Sequence, residues 1–527
     1  MKINRYGILS LLAVMTSLVF ANVYALEDPV QLDSGKVSGV ALNSGIKVYR
    51  GIPFAAAPVG DLRWRPPASP IPWQGILEAS SFSPICMQQP RSEPQVLMSE
   101  DCLYLNVWTP ANSAQQNLPV MVWIHGGGWA FGSSSSDTYD GEGFALKGVI
   151  LVSVNYRMGP FGFMAHSLLS AESERGVSGN YGLLDHISAL QWVQENISGF
   201  GGDPDNVTIF GESAGGGSVY SLIASPLAAG LFDKAISQST WIHTNNTTRL
   251  RRANGFMDSA EAIGDAAVNE KLQELGKLSQ GGNSNKNVLA IMRALPATDV
   301  LAIPSPVTAT ADGWVLPKPA AEIFAEGSHN HVPLLAGTND GEGLYYIRAR
   351  PLPYSTVAEQ FKARATEYGE SATDVLNYYV AKTDADVVKM EIDYITDTTF
   401  ARASRELVYA MAQTVEPTWM YQFTRNPDDP SQRSPHAAEL RYVFQTLNPT
   451  DVTSVDMSIS DNMSSYWVQF AKSGNPNGTG LPDWPAYTLE TERYQIIGAE
   501  YGQGSFLRKQ ELDALDQYIY SKNALAK

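Results

Sequence analysis

The chain has 527 residues, 44% of them apolar and 17% charged, with a formal net charge of −17. That balance is of a globular protein with a large core and excludes a disordered chain, while the excess of acid disfavours phosphate backbones, so no nucleic-acid partner is expected. Two cysteines are too few for a structural zinc site and the seven histidines are scattered, so neither a metal nor a cofactor is expected.

The first residues form a basic start (Lys2, Arg5), an apolar run over 7–20 and a small-residue end, Val23-Tyr24-Ala25. This is the pattern of a secretory signal over residues 1–25, and it predicts a secreted or periplasmic protein beginning near Leu26. The run is short for a bilayer crossing, and no later segment resembles one, so no membrane span is expected in the mature chain. Residues 26–527 carry no internal repeat or low-complexity linker and are expected to form a single domain. Up to residue 110 the chain is rich in Pro and Gly, with alternating stretches such as Lys47-Val48-Tyr49-Arg50 that predict edge strands and surface loops. Cys86 and Cys102 lie in this part, and an oxidising compartment would let them join. Closing a loop of that size stabilises a fold by about 3 kcal/mol in the chain-entropy description.

Pro119-Val120-Met121-Val122-Trp123-Ile124 and Val149-Ile150-Leu151-Val152-Ser153-Val154 have the length and continuous apolar character of fully buried strands. Residues 183–195 carry apolar side chains at helical spacing. Val207-Thr208-Ile209-Phe210 is a further buried strand, and it runs into Gly211-Glu212-Ser213-Ala214-Gly215, after which residues 214–224 can continue as a helix until Ser225-Pro226 stops it. G-x-S-x-G between a strand and a helix is a nucleophile elbow: the serine backbone is strained, and strand and helix approach too closely for side chains beside it. Strands alternating with helices give an α/β fold with a mostly parallel central sheet and helices on both faces. The regions 249–300 and 357–415 break the alternation and read as helical excursions over the carboxyl edge of the sheet, where such folds place their sites. Val332-Pro333-Leu334-Leu335-Ala336 and Trp419-Met420-Tyr421-Gln422-Phe423 are expected to return to the sheet as core strands.

A serine hydroxyl needs a base to take its proton and a carboxylate to orient that base. In α/β-hydrolases the chain order is serine, acid, histidine. The glycine-punctuated loop 337–343 holds Asp340 and Glu342, either of which could be the acid. His436 follows the strand ending at Phe423 and is the natural base; His243, His329 and His331 precede the acid loop and violate the order. The oxyanion needs N–H donors, which His125-Gly126-Gly127-Gly128-Trp129 can supply after a buried strand, together with the Ala214 amide. No Gly-Lys-Ser/Thr follows these glycines, which disfavours a phosphate cradle.

Together these residues resemble the type B carboxylesterase family, the branch of the α/β-hydrolase fold that includes the cholinesterases. The likeness extends through Arg63-Trp64-Arg65-Pro66-Pro67, Glu100-Asp101-Cys102-Leu103-Tyr104-Leu105-Asn106-Val107, Asn155-Tyr156-Arg157, Gly179-Asn180-Tyr181-Gly182, Phe200-Gly201-Gly202-Asp203-Pro204 and Trp467-Val468-Gln469-Phe470-Ala471. Carried over residue by residue, it implies Ser213 as nucleophile, Glu342 as acid because it holds the place before Gly343, and His436 as base. It further implies oxyanion donors at Gly127, Gly128 and Ala214, a disulfide between Cys86 and Cys102, and Ser239 of Ser237-Gln238-Ser239 as a partner of the triad. Cholinesterases carry a choline-binding tryptophan inside that disulfide loop; no aromatic residue stands between Cys86 and Cys102, so a general carboxylesterase acting on small-molecule esters through an acyl-serine is expected. A silent adhesion or binding protein and an amidase or peptidase on the same fold are the alternatives. A histidine base with an ordinary titration predicts activity that falls on acidification at about pH 6 to 7. Trp129, Trp241 and Phe324 are candidates for the pocket wall.

Overall fold

The computed structural model describes residues 28–525 apart from 90–96, 243–246, 254–256, 279–284, 305–307 and 370–371. The expected signal at 1–25 and His243 lie outside the described residues.

Eleven strands share one sheet: β1 Val40–Ala41, β2 Lys47–Pro53, β3 Tyr104–Thr109, β4 Leu118–Ile124, β5 Ile150–Val154, β6 Gly202–Glu212, β7 Lys234–Gln238, β8 Leu334–Asn339, β9 Thr418–Phe423, β10 Arg493–Ile497 and β11 Gly502–Ser505. Their order across the sheet is β11-β10-β9-β8-β7-β6-β4-β5-β3-β2-β1. The seven strands β4 to β10 run parallel; β1 to β3 at one edge and β11 at the other are antiparallel. The fold is therefore α/β with a mixed, mostly parallel sheet.

Period-two alternation splits the central strands between two cores. Val120, Val122 and Ile124 of β4 and Ile150, Val152 and Val154 of β5 face one side, where helix α1 (Tyr181–Asn196) adds Leu183, Leu190 and Val193 and helix α2 (Ala214–Ala224) adds Val219 and Ile223. Met121 and Trp123 of β4 and Leu151 of β5 face the other. There they meet Ile459, Met463, Trp467 and Phe470 of a later helix, Ser454–Ser473. That helix starts on a Thr453/Asp456 capping box and stops at Gly474, whose φ of 74° ends it in the left-handed region.

The excursions come where the sequence places them, and the second contains helices α3 (Val387–Ile395) and α4 (Arg402–Met411) joined by a π-turn, Thr396–Ala401. Two features differ from expectation. Strand β8 runs on to Asn339 instead of ending at Ala336, because a Cβ at Gly337 would stand 2.3 Å from the Tyr421 ring of β9; the missing side chain keeps the strands paired. Beyond Phe423 the sheet also gains β10 and β11, for which the sequence predicts no strands.

Candidate active site

Strand β6 ends at Glu212 and α2 begins at Ala214, leaving Ser213 at φ 57°, ψ −118°. Its N–H donates to Gln238 O at 2.9 Å, and its carbonyl accepts from Gly217 N–H at 2.8 Å. The flanking glycines are required by contact: a Cβ on Gly211 would lie 2.5 Å from the Gly215 carbonyl carbon, and one on Gly215 would lie 1.9 Å from Ile124 O. The strain at the serine is therefore imposed from both sides.

Five adjacent parallel strands, β4, β6, β7, β8 and β9, each lead at their carboxyl end into one part of the site: the glycine turn after β4, Ser213 after β6, Ser239 after β7, Glu342 after β8 and His436 after β9. Glu342 is fully buried and divides its oxygens. Oε2 meets His436 Nδ1 at 2.6 Å, while Oε1 accepts from the Ser239 hydroxyl at 2.6 Å and from the Asn339 N–H at 2.8 Å. Ser239, at φ 47°, thus holds the carboxylate from behind. Asp340 does something else: its Oδ1 accepts from the Ser434 N–H at 2.7 Å, and Arg433 pairs with it, so it anchors the segment leading to His436. Burial pushes the Asp340 carboxyl up to about 6.

Two carboxylates were not singled out from the sequence. Glu212 Oε1 lies 3.2 Å from His436 Nε2, off the hydrogen-bond line. Glu439 is buried one turn beyond His436; it accepts from Gln238 Nε2 at 3.0 Å and from Asn339 Nδ2 at 2.7 Å, and Asn339 Nδ2 also donates to Pro435 O at 2.8 Å. The histidine segment is thereby tied to the ends of β7 and β8. Both glutamates were visible in the motifs Gly211-Glu212-Ser213 and His436-Ala437-Ala438-Glu439, but nothing in a sequence separates a buried acid from an exposed one.

Burial, the largest effect on each carboxyl, pushes Glu212 up to about 8, against the lowering influence of His436, and Glu439 up to about 7, with neighbouring carboxylates adding to both shifts. At His436 burial opposes the cation, but Glu212 and Glu342 outweigh it and raise the imidazole to about 9. The part due to Glu212 exists only while that acid is ionised, and its own upward shift works against this; the Glu342 contact is the durable cause, and the direction is upward.

Gly127 (φ 106°) and Gly128 (φ 62°) form the turn after β4. A Cβ on Gly127 would fall 2.0 Å from Phe131 O, whereas one on Gly128 would have no atom within 4 Å. The turn is closed by Ala130 and Phe131 N–H on Gly127 O at 3.0 and 3.1 Å. Trp129 pins it to α2 by donating to Ser218 Oγ at 2.9 Å and stacks on Phe163 at 4.6 Å. Cys86 and Cys102 are bonded, and Gln88 grips Gly132 at both ends of its amide, Nε2 on Gly132 O and Oε1 on Gly132 N–H, each at 2.9 Å. Ala214 opens α2, so its N–H has no intrahelical acceptor.

Trp241 stands against Trp129 with ring centroids 5.5 Å apart. Phe324 instead packs on Tyr220 and His329, at 4.8 and 5.0 Å, and belongs to the core, its helical segment Ala320–Ala325 lying against α2. An open cleft of about 460 Å³ is lined by His436 together with Tyr345, Arg348, Ala437 and Arg441. Among the described residues no group of three potential metal ligands occurs, and no helix is long and apolar enough to cross a membrane.

An elbow serine, a carboxylate-bound histidine and a glycine turn on adjacent parallel strands are the arrangement of an α/β-hydrolase. A model of the carboxylesterase family matches residues 27–515, and the chain belongs to that family. It is 38% identical over 489 residues to a fumonisin B1 esterase from Sphingopyxis macrogoltabida, covering 90% of this chain and 87% of the relative. It is 37% identical over 500 residues to a para-nitrobenzyl esterase from Bacillus subtilis, covering 88% and 94%. Among solved structures, a PNB esterase superposes with a TM-score of 0.77 at 35% identity, covering 92% of this chain and 99% of that one. The protein is a carboxylic ester hydrolase.

Proposed function

We propose that Ser213, His436 and Glu342 carry out this hydrolysis as nucleophile, base and orienting acid. The observation that carries the assignment is the 2.6 Å contact of Glu342 Oε2 with His436 Nδ1, which leaves Nε2 on the side of Glu212, the residue before Ser213, 3.2 Å from its Oε1. Ser213 Oγ attacks the ester carbonyl carbon and passes its proton to Nε2. The N–H groups of Gly127, Gly128 and Ala214 receive the oxyanion. Collapse of the tetrahedral species expels the alcohol, which takes the proton back from the imidazolium, and water repeats the sequence on the acyl-serine. Ser239 acts through Glu342 by fixing its second oxygen.

Labelling with a fluorophosphonate tests the assignment: the label is expected on Ser213 and nowhere else, and Ser213→Ala is expected to lose labelling and turnover while keeping its thermal transition. Label on another serine would overturn it. The para-nitrobenzyl and fumonisin B1 esters for which two relatives are named are the first substrates to assay. The charge and apolar pattern of residues 1–25 supports export, with the mature chain starting near Leu26 as one domain; N-terminal sequencing of the secreted protein tests that point.

A further inference from the structure

The segment packed over His436 is the π-turn Thr396–Ala401. A π-turn adds about one residue to a helical turn, is rare, and is frequent at functional sites. Here it is held from three directions. Thr396 Oγ1 accepts from the Gly343 N–H at 3.2 Å, next to Glu342, and donates to Ile392 O at 2.7 Å. Gly343 itself has no room for a side chain, since a Cβ would stand 2.6 Å from Ile392 O. Asp397 is fully buried and accepts from Tyr379 Oη at 3.0 Å and from Arg508 Nε at 2.6 Å. Arg508 stands just before helix α5 (Lys509–Leu525), which is fastened to α4 by Arg402–Asp516 and Arg405–Asp513 ion pairs at 2.7 and 2.8 Å.

The ring delivered by this turn is Phe400. It is 1% exposed, its centroid is 4.5 Å from that of the His436 imidazole, and the two planes are inclined by 34°. That is well inside the range over which a ring face attracts a cation. The proposed reaction makes His436 a cation twice, once in each half. Around the imidazole stand the Glu212 and Glu342 carboxyls in contact, Glu439 further off, the rings of Tyr345 and Tyr346 at 5.9 and 5.7 Å, and Phe400, the nearest ring of the three.

The geometry points to Phe400 as a positioning residue for His436: the π-turn, registered on Gly343 and on the C-terminal helix, sets its ring so that the imidazole keeps one orientation through both proton transfers and the imidazolium is stabilised as it forms. The inference rests on His436 being the base. A failure of that premise is recognisable separately, because His436→Gln would then retain turnover.

The test is Phe400→Met, which comes close in volume and removes the ring face, beside Phe400→Tyr, which keeps the ring face and adds a hydroxyl. With a neutral nitrophenyl ester, Phe400→Met is expected to lower kcat by about two- to thirtyfold, to leave KM in place and to move the acid limb of kcat/KM to lower pH; Phe400→Tyr should retain wild-type values. A Phe400→Met enzyme with unaltered kcat and acid limb would overturn the proposal, as would an equal loss in both variants with no movement of the limb. Should Phe400→Met fail to fold, Thr396→Val carries the test, since it unhooks the turn from Gly343 without altering the ring: reduced kcat with the acid limb moved to lower pH supports the proposal, and wild-type kcat, or a loss with the limb in place, overturns it.

Discussion

Ser239 and His436 bind opposite oxygens of the same carboxylate, Ser239 on Glu342 Oε1 and His436 on Oε2, each at 2.6 Å. The serine hydroxyl fixes the rotation of the carboxylate and hence the direction in which the imidazole is held. Ser239→Ala leaves Oε1 with the Asn339 N–H alone and removes a charge-assisted hydrogen bond of about 1.5–3 kcal/mol. The expected result is a fall in kcat of about tenfold or more with KM little altered, measured on a soluble nitrophenyl ester. Wild-type kcat in this variant would remove Ser239 from the orienting role.

The pH dependence follows from the charges at the imidazole. As the proposed base, His436 must be neutral, and nearby carboxylates favour its protonated form, so activity is expected above the imidazole's titration and is lost as pH falls through it. With the imidazole raised toward about 9 by Glu212 and Glu342 against the effect of burial, the acid limb of kcat/KM is expected above 6.5, higher than an unperturbed histidine implies. Glu212→Gln removes one of the two carboxylates and should move the limb to lower pH. A limb that stays in place in Glu212→Gln would show that Glu212 is protonated throughout the titration.

Gly127 and Gly128 are adjacent, both with positive φ, yet they should respond differently to alanine. At Gly127 the methyl would be driven to 2.0 Å from Phe131 O, so the turn must open; kcat is expected to fall about 10²- to 10³-fold, as for loss of an oxyanion donor, with a lowered melting temperature. At Gly128 no atom opposes the methyl, and only the left-handed backbone strain of about 1–2 kcal/mol remains. Thermal melts of the two variants should therefore separate clearly, and coincident melts would contradict the packing at Phe131.

Arg157 and Asp185 form a buried pair, Nε and Nη2 on the two carboxylate oxygens at 2.9 and 2.7 Å, and Arg157 Nη1 also caps Arg65 O at 2.8 Å. Removing one partner leaves a buried charge unpaired, which costs about 3–5 kcal/mol. Asp185→Ala is expected to lower the thermal inactivation midpoint while leaving KM unchanged at temperatures where the variant is folded. An unchanged midpoint would show that Arg157 is not left as a buried unpaired charge in the variant.

Much of this was legible in the chain. The buried strands β4, β5, β6 and β9 and the helices α1 and α2 announce themselves by uninterrupted apolar runs or helical spacing, and the elbow by its paired glycines. The choice of Glu342 over Asp340 came only from the family resemblance, since both stand in one loop; in space they face different partners. β10 was invisible because Arg493-Tyr494-Gln495-Ile496-Ile497 mixes polar and apolar residues near the sheet's edge. The π-turn is not announced by any periodicity in the sequence: the contacts that hold it come from Gly343 and Arg508, which lie 53 residues before and 111 residues after the positions they hold and belong to the tertiary fold. Glu212 and Glu439 were hidden for the same reason, as their burial is a property of the assembled site.

The grip of Gln88 on Gly132 links the sulfur bridge to the amides that would receive the oxyanion, because Gln88 follows Cys86 by two residues and Gly132 borders the glycine turn. Protein made where thiols stay reduced is therefore expected to assemble its sheet yet hold those amides loosely, so that turnover, more than shape, would report arrival in an oxidising environment. Equal specific activity of the reduced and oxidised forms, each normalised to titrated serine, would dissolve that link.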